Sequence, residues 1–210
     1  MVPVLGMALG FVGHAGAETF KLREGCTHVV TIQSESCYVR NVVTCPKIGG
    51  PLVYATGEDG QVVATAFDGD GATLFTGPQA AGMVLKDRTD LFSLAALTAQ
   101  GMDTYDYTMA ARDGVVIRFA GTTTLTGEAV EIDGRSLLVL ATRQTVTPAG
   151  KATVESEITS YYDKKLALVL TAEGRDVASG KVMLQRRPVA FLFPGEDGAL
   201  AGEPSIGCEG

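Results

Sequence analysis

Few residues in this chain have the type and spacing that chemistry requires, and each must be weighed against a plainer role. Asp68 and Asp70 in the run FDGDGATLF resemble the first half of a calcium loop. The downstream carboxylate such a loop needs is replaced by Thr73 and Thr76, so the pair reads as turn formers in a Gly-rich hairpin. Asp103 and Asp106 flank Tyr105 and could be posed as an acid/base pair, with nothing in the sequence to fix their geometry. His28 stands beside Cys26 and is the only histidine after the first 17 residues. That removes most Ser/His, Cys/His and multi-histidine metal arrangements. No Gly-x-Ser-x-Gly elbow, P-loop or dinucleotide fingerprint is present. Arg186-Arg187 before Pro188 could hold an anion or a partner, and a solvated pair is the plainer reading. The chain therefore reads as non-enzymatic, with no metal and no cofactor expected.

The cysteines carry a different chemistry. Cys26, Cys37, Cys45 and Cys208 form an even set after an apolar leader, and three pairings are open. The preferred one joins Cys37 to Cys45 in a local hairpin and Cys26 to Cys208 across the chain. The alternative, zinc, lacks a Cys-x-x-Cys pair.

Composition sets the frame for these residues. The chain has 210 residues, 46% hydrophobic and 20% charged, with a net charge of −7. A sizeable core is affordable and disorder is not expected. The acidic balance speaks against nucleic acid or an anionic membrane surface as the main partner. Residues 1–17, MVPVLGMALGFVGHAGA, carry no Lys, Arg, Asp or Glu and end in Ala15-Gly16-Ala17. This fits a signal peptide cut before Glu18, hence a periplasmic or secreted protein. The apolar run is shorter than the roughly 20 residues a span needs, so no transmembrane segment is expected in the mature chain.

Four regions follow: the signal peptide 1–17, a disulfide-stapled N-terminal module 18–50, an antiparallel β domain 51–194, and a tail 195–210 tied by Cys208. Strands are expected at His28–Gln33, Cys37–Thr44, Leu52–Thr56, Gln61–Phe67 and Ala72–Phe75, separated by Gly- and Asp-rich turns. Asp90–Gln100 has Leu91, Leu94, Ala95 and Leu97 at helical spacing, with Thr89 or Asp90 to cap it and Gly101 to end it. From Tyr105 to Thr171 runs a meander of alternating segments whose Asp-Gly dipeptides suit tight hairpins. Leu137 to Leu140 is apolar on both faces, so something must cover the sheet's second side there, either the helix or the N-terminal module. Lys181–Gln185 and Val189–Phe193 are expected as one last strand with a bulge or edge position at Pro188.

The fold class is thus mainly β: an antiparallel meander of nine or ten strands forming a curved half-barrel or sandwich with one short helix. Ile117, Phe119, Leu138, Leu140, Val154 and Ile158 are expected on its inner face, where a hydrophobic ligand would bind. The segment Tyr161-Tyr162-Asp163-Lys164-Lys165, followed by alternating Leu166, Leu168 and Leu170, resembles a hairpin of uncharacterised exported bacterial β proteins. Those proteins are similar to the open half-barrel of the lipoprotein-carrier (LolA/LppX-like) family. The resemblance implies that fold and an export setting, and no functional residue. Here Tyr162 is expected in the core and Tyr161 outside. Three functions follow in order: an exported envelope interaction or structural module, a carrier of a lipid or other hydrophobic ligand, and an enzyme.

Overall fold

The structure, a computed structural model, describes residues 19–78 and 82–208. The leader therefore lies outside the described residues. The rest is mainly β, with thirteen antiparallel strands in one sheet and one short helix. In chain order the strands are β1 (Thr27–Ser34), β2 (Tyr38–Thr44), β3 (Pro51–Thr56), β4 (Val62–Phe67), β5 (Thr73–Gly77) and β6 (Met83–Asp90). Helix α1 (Leu94–Gln100) follows, then β7 (Met102–Ala111), β8 (Val116–Ile132), β9 (Arg135–Pro148), β10 (Val154–Asp163) and β11 (Leu168–Asp176). The last two are β12 (Val182–Gln185) and β13 (Pro188–Leu192). Each strand from β1 to β11 pairs with the next, and β13 pairs with β1. Residues 18–50 supply β1 and β2 of this same sheet.

The last strand segment departs from expectation. β12 lies on β11 while β13 lies on β1, at opposite ends of the strand order, with only Arg186 and Arg187 between them. The Arg186 amide still donates to Ala172 O, and the Arg187 carbonyl already accepts from Glu35 N. Within two residues the chain changes partners, so the sheet's two ends are brought together. No ladder joins β12 to β13, and the sheet does not close into a barrel. Pro188 opens β13, an edge position where its missing N–H costs nothing.

Helix α1 begins later than expected. Thr89 and Asp90 belong to β6, and Ser93 is the N-cap, its hydroxyl accepting from Ala96 N at 3.0 Å. Gly101 closes the helix at φ 79°, its amide donating to Leu97 O. The strand β6 was not expected at all. Most of its side chains are exposed, so it has no buried face to leave an alternating pattern.

Strands β8 and β9 exceed ten residues, at 17 and 14. The two faces of β9 explain why Leu137–Leu140 is apolar throughout. Leu138 and Leu140 pack with Leu94 and Leu97 of α1, and with Tyr162. Leu137 packs on the opposite side with Val30 and Ile32 of β1, Val42 of β2, Phe191 of β13 and Tyr161. Both expected covers are therefore used, one on each face. The same double cover corrects the expectation for Tyr161: it is buried like Tyr162, facing the N-terminal strands where Tyr162 faces the helix.

The cysteine pairing is also corrected. Cys26 pairs with Cys45 and Cys37 with Cys208, with Cα separations of 4.3 and 4.4 Å. The β1–β2 register sets Thr27 opposite Thr44, which puts Cys26 and Cys45 across from each other at the open end of the hairpin. Cys37 sits in the turn, a full strand away from Cys45, and takes the tail instead. Two such pairs are what an oxidising, non-cytoplasmic compartment preserves.

Candidate functional site

Register determines which side chains meet. Tyr105 and Tyr107 of β7 stand opposite Gly121 and Phe119 of β8. Those residues stand opposite Gln144 and Val146 of β9, and these opposite Ser156 and Val154 of β10. The six residues expected on the inner face, Ile117, Phe119, Leu138, Leu140, Val154 and Ile158, all fall on this one face by the same register. The structure divides them. Leu140 is sealed beneath α1 with Leu138 half-buried beside it, Ile158 lines a cavity, and Ile117, Phe119 and Val154 lie toward the uncovered end.

The cavity measures about 200 Å3, and Phe67 of β4, Phe92 and Tyr107 form its aromatic side. Thr142, Gln144 and Ser160 supply hydroxyls and an amide. None of the described residues lining it is charged. Aromatic rings run along it, with Phe92 to Tyr105 at 6.4 Å, Tyr105 to Tyr107 at 5.8 Å, and Tyr107 stacked on Phe119 at 5.4 Å. Gly121 makes this possible. A Cβ there would come within 2.7 Å of Arg143 O and of the Tyr105 hydroxyl. With no side chain in the way, the Tyr105 ring crosses β8 and its hydroxyl donates to Gln144 Oε1 at 2.9 Å. Burial pushes the Tyr105 hydroxyl's pKa well above its ordinary value, and that of Tyr107 up as well, so both remain neutral donors.

The acidic candidates serve structure. Asp68 Oδ1 accepts from the amides of Asp70 and Ala72, forming the β4–β5 turn. Asp70 Oδ1 accepts from Ala95 N and Asp103 Oδ2 from Ser93 N, so both carboxylates cap α1 from outside. Burial raises the Asp103 pKa, helped by the nearby charges of Asp90 and Asp70 and opposed by the Ser93 amide. Asp106 instead pairs with Arg118 across β7–β8, which lowers its pKa. Asp103 and Asp106 thus point to different partners and do not meet as an acid/base pair. His28 Nε2 lies 3.0 Å from Thr31 Oγ1, and burial lowers its pKa. Among the described residues, no group of three or more His, Cys, Asp or Glu could hold a metal ion.

Arg186 does not stand free in solvent. Its guanidinium lies 3.9 Å from the centre of the Tyr38 ring and donates to the Tyr38 hydroxyl at 3.0 Å. Beside it is a residue that carries no distinguishing mark in the sequence. Arg40, on the buried face of β2, donates to Ser34 Oγ at 3.0 Å and to Thr171 O at 2.8 Å. Burial pulls its pKa down to about 10. The aromatic residues of the cavity were also missed. Tyr105 and Tyr107 share a face by simple alternation, so pairing the meander on paper would have found them. Phe67 and Phe92 come from elsewhere in the chain and left no such signal. Comparison with family models, with curated proteins and with solved structures returned no match.

Proposed function

We propose that this is an exported, non-enzymatic envelope protein, resident in the periplasm after cleavage before Glu18, that acts as an interaction or structural module. One observation carries the reading. At the uncovered end of the sheet, Tyr107, Phe119, Val146 and Val154 form an apolar row across four adjacent strands. Val154 is 41% exposed. Tyr107, Phe119 and Val146 are half-buried beside it, and an apolar row only partly closed off from solvent suits a partner surface. In this reading the sheet is a curved half-barrel whose covered end supplies stability and whose open end supplies contact.

A carrier of a hydrophobic ligand is the second reading, favoured by the aromatic cavity behind that row. Its volume of about 200 Å3 falls short of the several hundred Å3 a lipid would occupy. An enzyme ranks third, because the carboxylates are engaged in turns, caps and a surface ion pair.

The test is native mass spectrometry and blue native electrophoresis of envelope extracts containing wild type or Phe119→Lys. The wild type is expected to have the mass of the bare chain from Glu18 and to run in a larger assembly. The variant should run alone with an unaltered melting temperature. A wild type that runs alone removes the module reading, and a co-purified lipid transfers the function to the carrier.

A further inference from the structure

The face of β1–β3 turned away from the Leu137 cluster carries a second apolar cluster, with Val43, Leu52 and Tyr54, and beside it a polar set, Thr31, Gln33 and Asn41, which the tail covers in an unusual way. Leu200 N donates to Thr31 Oγ1 at 2.8 Å. Ala201 O accepts from Asn41 Nδ2 at 2.8 Å, and Ser205 N donates to Gln33 Oε1 at 3.1 Å. Leu200 O accepts from Phe20 N at 2.6 Å. Every one of these bonds reaches the main chain of the tail. Thr31, Gln33 and Asn41 are fully buried, so their side chains are fixed beneath it. The tail itself adds little apolar burial. Ala201 is buried and Leu200 half-buried, while Glu203 and residues 205–208 are exposed.

The face also holds polar capacity that the tail does not use. Gln33 Nε2, Tyr54 Oη and Thr56 Oγ1 are buried without a hydrogen-bond partner among the described residues. Register puts Tyr54 opposite Asn41 and Thr56 opposite Val39, whose other neighbour is Gln33, so all three stand on this face. A buried polar group left unpaired is destabilising, so the concentration of three on one face marks it as a place that binds polar groups.

We propose that this face is a binding groove for an extended polypeptide segment, recognised through its main chain, and that the tail fills it under the control of the Cys37–Cys208 disulfide. Cys208 is exposed whereas Cys37 is buried, so a thiolate of a dithiol reductant attacks Cys208 Sγ. The S–S bond breaks, Cys37 leaves as a thiolate and takes a proton, and the reductant is joined to Cys208. The reductant's second thiol then displaces Cys208 and becomes a disulfide, two electrons having passed to the protein. Freed of its tether, the tail is held, among the described residues, by these four main-chain bonds, the Thr19–Ala201 bridge and the buried Ala201 side chain. A second segment can then compete for its place. Cys26–Cys45, half-buried at the far end of the hairpin, is untouched by this opening.

The test uses the full chain in three forms: oxidised, mildly reduced with a dithiol, and Cys37→Ser/Cys208→Ser. Thiol trapping during mild reduction should label Cys37 and Cys208 before Cys26 and Cys45. Amide exchange at Leu200 and Ser205 should quicken at least tenfold in the reduced and double-serine forms. A fluorescent peptide of residues 199–207 should bind those two forms saturably, at least tenfold more tightly than the oxidised chain. N-methylation at the positions of Leu200 and Ser205 should abolish that binding. Simultaneous labelling of all four cysteines, unaltered tail exchange, or equal or absent peptide binding in the three forms would each overturn the proposal. If the double-serine form does not fold, the mildly reduced wild type decides alone.

Discussion

At Asp163 one carboxylate serves three partners. Oδ1 accepts from the amides of Lys165 and Leu166, which shapes the β10–β11 turn, and Oδ2 pairs with Arg135 at 2.6 Å. Arg135 in turn lies 5.3 and 5.2 Å from the ring centres of Phe191 and Phe193. The Tyr-Tyr-Asp hairpin is thereby tied to the start of β9 and to β13. Asp163→Ala strips the partner from a largely buried guanidinium. It should cost about 3 kcal/mol in urea unfolding, the low end for a broken buried pair because Arg135 keeps some solvent contact. Asp163→Asn should cost less, since it keeps an acceptor for the turn. His28 makes a pH prediction. Its pKa is lowered in the folded state, so the unfolded chain binds the proton more readily. The stability it contributes is complete above its ordinary value of 6.5 and is lost as pH falls below it. The melting temperature should fall between about pH 7.5 and 5.5, and His28→Gln should flatten that slope. A slope unaltered by the substitution would assign the effect to other groups.

Among the elements, α1 shows what the sequence made legible and what it did not. The spacing of Leu94 and Leu97 and the stop at Gly101 were readable, because both are local. The start was not, because Asp70 and Asp103, 25 and 10 residues from the amides they cap, complete the N-terminus from other elements. A helix of seven residues is marginal alone and depends on such partners. Ser93→Ala removes the local cap and should cost about 1 kcal/mol, read as a drop of roughly 2–4 °C in melting temperature. No change would mean that Asp70 and Asp103 suffice. The β1–β2 hairpin teaches a similar lesson about register. The turn at Glu35-Ser36-Cys37 pairs Ser34 with Tyr38, and a bulge between His28 and Val30 shifts the register by one so that Cys26 meets Cys45. The expected Cys37–Cys45 bridge failed because it joined the turn to the opposite end of a strand. Alternation reports the face of each strand reliably, as the six inner-face residues show. It says nothing about a strand such as β6 that buries neither face.

At the scale of the whole molecule, most of the β1–β12 meander, β6 excepted, was legible because each strand pairs with the next through a short local connection. The meeting of the sheet's ends was not. Lys181–Gln185 and Val189–Phe193 read as one last strand, and nothing local says that the chain leaves β11 for β1, some 150 residues earlier. What holds that crossing is visible only in three dimensions. Arg40 reaches from β2 to Thr171 O of β11 and, at 3.5 Å, toward Arg186 O, so its one guanidinium spans both edges where the chain changes partners. Among the described residues, no acid pairs with it. It is held by carbonyls, the Ser34 hydroxyl and the face of Tyr38, at 4.9 Å from the ring centre. Replacing it with methionine keeps much of the volume and removes the donors, leaving buried carbonyls without partners. Each lost bond to a charged group is worth about 1.5–3 kcal/mol. Because Arg40 acts where β13 joins β1, the loss should be local before it is global. In Arg40→Met, the amides of β13 should exchange at least tenfold faster, while those of β8 and β9 keep their protection. Equal acceleration in every strand would show that Arg40 contributes to the core as a whole, and that the two ends of the sheet are held together by the apolar contacts of Phe191 and Leu170 instead.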